Sequence, residues 1–168
     1  MPVLPHVSVF RAANKPTPCP SLWEGGRSTV VELGMFEISV QREFCAAHAI
    51  LLGGVREVTH GHNFHLTVTV AGSSLDHEEL LVDFHALERV VDAIIRPFHN
   101  ADLNALPPFA GEHGRAGINP TAEAIARHIG ERVHERLTTL TGNGRTVHLA
   151  AVRLTEAPGC AVVWRPGA

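Results

Sequence analysis

Residues 60–70 read His60-Gly61-His62-Asn63-Phe64-His65-Leu66-Thr67-Val68-Thr69-Val70. Phe64, Leu66, Val68 and Val70 fall on one face, and His65, Thr67 and Thr69 on the other. That is the period-2 alternation of a half-buried strand. Gly72-Ser73-Ser74 ends it. Upstream, Phe36, Ile38 and Val40 alternate with Glu37, Ser39 and Gln41, and this first strand continues through Arg42 to His48. Gly53-Gly54 break the chain between the two.

Downstream the period changes. Asp83 is placed to cap a helix in which Phe84, Leu87, Val91, Ile94 or Ile95, and Phe98 recur at three- and four-residue steps. A loop of about twenty residues follows, carrying Pro107-Pro108, and loops of that length are often functional. Asn119 and Pro120 read as N-cap and N1 of a second helix with Ile125, Ile129, Val133, Leu137 and Leu140 as its stripe. Gly142-Asn143-Gly144 stops it, and residues 146–155 and 160–165 read as a hairpin about Ala157-Pro158-Gly159. The order β-β-α-α-β-β predicts an α+β fold, an antiparallel sheet with two helices on one face. Its uncovered face and edges favour a homo-oligomer.

Composition bounds the function. The chain has 168 residues, 45% apolar and 18% charged, enough apolar material for one packed domain. A net charge of −3 argues against a nucleic-acid or acidic-membrane partner. No apolar run approaches the roughly 20 residues that span a bilayer. No secretory signal is evident, and Cys19, Cys45 and Cys160 form no Cys-x-x-Cys pair, so a cytoplasmic location with reduced thiols is expected. Residues 1–34 hold 5 of the 11 prolines and no sustained period. They read as a flexible extension ahead of a domain at 35–168, with Met35 a candidate start.

Histidine is in excess, with 12 in the chain. His60 and His62 are two apart, so on a strand both imidazoles point to one face. His48 ends the preceding strand and reaches the same place if the two strands form a hairpin. Three histidines leave one position open, the catalytic rather than the structural zinc arrangement. Two surface histidines on a polar face are the alternative. His65 reads as a solvated strand residue, and Cys45 as a buried strand cysteine.

The strings Phe44-Cys-Ala-Ala-His48, His60-Gly-His-Asn-Phe64, Val82-Asp-Phe84, Leu103-Asn104, Asn119-Pro-Thr-Ala-Glu123 and Thr155-Glu156-Ala-Pro occur in this order. Together they resemble the 6-pyruvoyltetrahydropterin synthase / 6-carboxytetrahydropterin synthase family. The resemblance implies a tunnelling fold (T-fold), assembly as trimers or hexamers, and active sites at subunit interfaces. It implies Zn2+ on His48, His60 and His62, and 7,8-dihydroneopterin triphosphate as substrate. Glu156 matches the glutamate that anchors the pterin ring. Thr121 and Glu123 match residues lining the pterin pocket, although both types also cap helices well.

Two departures stand against these matches. Where the family commonly carries a catalytic cysteine, residues 54–59 contain none, and Glu57 stands there. It resembles the glutamate of a variant branch, and a carboxylate serves as general base if its pKa is raised. A solvated loop glutamate beside Arg56 is the alternative. The family's Asp-His pair falls on His99 and Asn100. Asn100 cannot transfer protons, whereas His99 can, with Asp102 to orient it. The expected function is thus a zinc-dependent lyase making 6-carboxy-5,6,7,8-tetrahydropterin for a queuosine/deazapurine route. The alternatives are a glutamate-variant enzyme releasing 6-hydroxymethyl-dihydropterin for folate synthesis, and a catalytically weak pterin-binding paralogue.

Overall fold

The computed structural model describes residues 34–111, 116–140 and 147–167. The expected extension at 1–34 lies, apart from Gly34, outside the described residues, as does the helix stop at Gly142-Asn143-Gly144. The elements are β1 (Phe36–His48), β2 (Leu51–Leu52), β3 (Val55–Arg56), β4 (His60–Gly72), α1 (Phe84–Ile95), β5 (Ala101–Asp102), α2 (Ala122–Leu140), β6 (Val147–Ala157) and β7 (Cys160–Trp164). The main sheet runs β5-β1-β4-β6-β7. Its four long strands are mutually antiparallel, and the two-residue β5 adds parallel to β1 at Ala46 and Ala47. The sheet is therefore mixed, where the sequence pattern predicts a purely antiparallel one. Two consecutive residues in a loop carry no period by which β5 could be read.

Alternation decides which face is buried. On β1, Val40, Phe44, Ala46 and His48 are buried, and Glu37, Ser39, Gln41 and Glu43 are exposed. On β4, Phe64, Leu66, Val68 and Val70 are at most 1% exposed. The Phe44 and Phe64 rings stack across the pair with centroids 5.1 Å apart. Burying each such side chain contributes about 1.5–3 kcal/mol. The helices cover this face. Leu87, Val91, Ile94 and Ile95 of α1 meet Ile125, Ile129, Val133 and Leu137 of α2 in one core. Asp83 caps α1 as predicted, accepting from the His85 N–H at 2.9 Å. Phe84 does not join the apolar stripe and stays half exposed.

One inward position of β1 carries Arg42 instead of an apolar residue. Its guanidinium crosses to α1, 2.6 Å from Asp92 and 3.2 Å from Glu88. These carboxylates raise its pKa, with the Asp92 hydrogen bond foremost. The opposite face of the sheet is open and polar, with Ser39 bonded to Thr69 and the Cys45 thiol donating to Asn63. Cys45 is therefore not a buried strand cysteine. It occupies an odd position of β1, and odd positions face away from the helices.

Gly130 sits in the interior of α2, where glycine costs about 1 kcal/mol relative to alanine. A Cβ there would overlap the indole ring of Trp164 on β7. Glycine is retained because the last strand packs directly on the helix backbone. Gly130→Ala is expected to destabilise the chain by about 1–3 kcal/mol through overpacking. In a Trp164→Ala background the same change is expected to be neutral or stabilising. Paired urea titrations read the sign reversal.

His128 of α2 packs between Phe98 and Phe109, with ring centroids 5.8 and 6.0 Å away. Its pKa is lowered from 6.5, first by burial and then by the charge of Arg132. The unfolded chain then takes up this proton before the folded chain does, so stability falls as pH drops below about 6.5. His128→Leu is expected to flatten that part of the stability–pH curve, as measured by thermal unfolding between pH 5 and 8.

Candidate metal centre

The ladder between β1 and β4 pairs His48 with His60 and Ala46 with His62. His60 and His62 share the face of Phe64, so the apolar run of β4 hands over to imidazoles at one end of the core. The three rings lie 4.9, 5.2 and 5.0 Å apart by centroid. One ligand nitrogen from each falls within 4.8 Å of the others. His48 is 1% exposed, His62 is half-buried, and His60 is exposed.

The backbone orients two of these rings. His48 Nδ1 lies 2.8 Å from the Pro120 carbonyl, and His60 Nδ1 lies 2.9 Å from the Val58 carbonyl. A carbonyl only accepts, so Nδ1 carries the proton and Nε2 keeps its lone pair. His48 Nε2 is then buried without a hydrogen-bond partner. Glu156 Oε1 lies 3.1 Å from it, and 3.9 Å from His62 Nε2. An unprotonated Nε2 cannot donate to that carboxylate, so it remains an orphaned acceptor. Burial lowers the His62 pKa, with Glu156 opposing and the other two imidazoles reinforcing. A ring held through Nδ1 leaves Nε2 as the atom that can bind a divalent metal.

Asparagines hold the frame around this cluster. Asn104 accepts from the Ala49 N–H at 2.7 Å and donates to the Ala49 carbonyl at 2.9 Å. Asn119 does the same to Leu51, at 2.8 and 3.1 Å. Asn119 is thus not the N-cap of α2. Thr121 is, accepting from the Ala124 N–H at 3.3 Å, because α2 begins at Ala122. Glu123 follows in the first turn, exposed, where the helix dipole favours an acid.

A cavity of about 880 Å³ opens beside the imidazoles and is lined by His62, Asn63, His65, Asn100, Asp102 and Glu156, among others. It brings Glu156 and Asp102 together with one of the three histidines. Thr121 and Glu123 line a different, smaller cavity with Arg127 and Trp164. Glu57 is half-exposed on the connection into His60, its N–H bonded to the Ile50 carbonyl at 3.0 Å, and does not line the large cavity. His99 is exposed and outside that lining, and Asp102 spends an oxygen on the Asn104 N–H at 3.0 Å. No bond joins His99 to Asp102 among the described residues. Asn100 enters the wall instead, at φ 58° with its N–H on the Cys45 carbonyl. Asparagine tolerates this left-handed conformation better than most residues.

The fold and site together define an α+β protein with a three-histidine centre beside a pocket for a small molecule. The chain belongs to the 6-pyruvoyl tetrahydropterin synthase family, whose model matches residues 37–166. It is similar to the 6-carboxy-5,6,7,8-tetrahydropterin synthase of Bacillus subtilis, 31% identical over 133 residues (78% of this chain and 86% of that protein). It is also similar to a dihydroneopterin monophosphate aldolase of Pyrococcus furiosus, 33% identical over 100 residues (60% of this chain and 76% of that protein). Among solved structures, Caenorhabditis elegans 6-pyruvoyl tetrahydropterin synthase superposes with a TM-score of 0.63 at 15% identity, covering 80% of this chain and 98% of that one. A catalytic-residue mutant of the Plasmodium vivax 6-pyruvoyltetrahydropterin synthase, with glutamate changed to alanine, gives 0.62 at 16% identity, covering 80% and 99%. The T-fold read from the motifs is the fold observed, and the family's enzymes are pterin-processing lyases.

Sequence reasoning finds the three histidines and Glu156 but not the frame that holds them. The Pro120 carbonyl and the Asn104 bracket on Ala49 are backbone contacts across 72 and 55 residues. The signal available for them is that both residues lie inside the quoted motifs. Asn104→Leu is expected to cost about 1–3 kcal/mol by orphaning buried backbone groups. It is also expected to weaken Co2+ binding, because Ala49 adjoins His48. Urea denaturation and calorimetric Co2+ titration check the two effects. Lost stability at unchanged affinity would make Asn104 a purely structural residue.

Proposed function

We propose that the chain is a Zn2+-dependent lyase acting on 7,8-dihydroneopterin triphosphate, with 6-carboxy-5,6,7,8-tetrahydropterin as product. The observation that carries this reading is the orphaned His48 Nε2, clustered with His60 and His62, of which His62 lines the same pocket as Glu156. His48, His60 and His62 would hold the ion, and their donor set suits zinc with an open position. Bound there, zinc supplies Lewis acidity toward substrate oxygens. Glu156 would take the pterin, because one carboxylate accepts two parallel N–H bonds. The similarity to the Bacillus subtilis enzyme supports the 6-carboxy product.

A second reading is favoured by Glu57. No cysteine stands between Gly54 and Thr59, and a glutamate is the catalytic residue altered in the Plasmodium vivax mutant. The Pyrococcus furiosus relative is named an aldolase of dihydroneopterin monophosphate. On this reading Glu57 is the general base and a 6-hydroxymethyl-dihydropterin is released. His99 and Asp102 share no bond within one chain among the described residues, so a proton-transfer role for His99 would draw on another partner, such as a neighbouring copy. The outer edge of β7, and the edge of β1 away from β4 ahead of Ala46, carry no strand partner among the described residues. They suit a homo-oligomer, trimeric or hexameric, closed through its sheet edges.

Zinc-loaded protein incubated with 7,8-dihydroneopterin triphosphate, with products weighed by mass spectrometry, separates the readings. Acetaldehyde with a 6-carboxy pterin is expected. A 6-hydroxymethyl product would select the Glu57 route, and bound but unchanged substrate a pterin-binding paralogue. His60→Ala is expected to abolish stoichiometric zinc, and retention of a full equivalent refutes the ligand assignment. Glu57→Gln is expected to lower kcat by about 10²–10⁴ if Glu57 is the base.

A further inference from the structure

The outward groove between α1 and α2 holds a group that pterin chemistry does not use. Arg136 is half-buried on α2, and its Nη1 is closed off from solvent with no hydrogen-bond partner. A buried N–H of a charged group is costly to leave unmade, and native structures rarely do so. Arg132 and His128 lie one and two turns earlier on the same helix face. All three line a cavity of about 310 Å³ that Ile94, Phe98 and Pro107 wall on the other side. No carboxylate is among the lining residues. The nearby acids are Glu131 and Glu135, and Glu135 is engaged with Arg132 Nη1 at 2.6 Å. The cavity thus presents cationic donors on one wall and apolar surface on the other.

We propose that this groove is a binding site for a small oxyanion carrying an apolar group, of the aryl or alkyl phosphate type. The guanidinium of Arg136 would satisfy its orphaned N–H on the oxyanion, and Arg132 would add a second charged donor. Phe98 and Ile94 would cover the apolar part. The volume stands at the lower end of small-molecule sites, which are roughly 300–1,000 Å³. The groove shares no lining residue with the large cavity at the metal centre. It stands whether or not the chain turns over a pterin, and its test needs no pterin.

Equilibrium dialysis of the full chain against phenyl phosphate at pH 7 and constant ionic strength tests the site. One saturable equivalent per chain is expected, together with a shift of the His128 ring resonances by NMR. Inorganic phosphate is expected to bind more weakly by about tenfold, because it leaves Phe98 and Ile94 uncovered. Arg136→Met is expected to lose the equivalent. Arg132→Met, at an exposed position where the fold has little at stake, is expected to weaken it and decides the matter should Arg136→Met fail to fold. Absence of saturable binding, or binding unchanged in the arginine variants, would overturn the site. Equal affinity for the two phosphates would overturn the apolar half of the proposal.

Discussion

The register of β1 against β4 is the constraint on which the rest depends. It sets His48 opposite His60 and Phe44 opposite Phe64. A slip of one residue would move every side chain of one strand to the other face. The imidazoles would then leave the core side of the sheet together with the aromatic rings. The same alternation that builds the core rules out every odd slip, because an odd slip would not keep Phe44 on the face of Phe64, Leu66 and Val68. The stability of the sheet and the assembly of the site are therefore one problem solved once. The histidine cluster is the last rung of the hydrophobic ladder, with nitrogen donors in place of apolar groups.

The segment Asn119-Pro120-Thr121 shows how the second helix is tied to that rung. Asn119 pairs with the backbone of Leu51, the Pro120 carbonyl holds the His48 ring, and Thr121 caps α2. Three consecutive residues thus serve the loop after β1, the end of β1 itself, and the start of the helix. Proline suits the middle position because its carbonyl is used and it has no N–H to satisfy. Asn104 closes the frame from the other side by bracketing Ala49. The asparagine bonds fix backbone near His48, the Pro120 carbonyl takes its Nδ1, and none of these contacts uses its Nε2.

What was legible in the sequence follows from this division. Strands and helices announce themselves by period, so β1, β4, α1 and α2 were readable, and so was the convergence of His48 with His60 and His62. Cys45 was misread, because an apolar-looking residue inside a strand was given to the core although its position is odd. Asn119 was misread as a cap, because asparagine before proline is a strong local signal and the competing use, a bond to Leu51, is remote in sequence. β5 leaves no periodic signal, and Asn100 and Asp102 stand out in the sequence only through the motif resemblance, not as cavity walls. They arise where a loop docks on a strand edge, and such docking leaves no periodic mark on the residues that do it.

The placement of acid–base candidates carries a consequence for the chemistry. Glu156 reaches the centre from β6, at the irregularity between Thr155 and Ala157, with Oε1 3.1 Å from His48 Nε2. Glu57 and His99 belong to connections, one leading into β4 and one following α1, and neither lines the cavity of its own chain. Binding groups on strands and proton-transfer groups on connections are set by different forces, so the second set varies without disturbing the first. That separation lets the strand-borne histidines and Glu156 stay in place whatever residues the connections carry. On the proposed function, the product would then depend on what those connections bring to the pocket as well as on the three histidines.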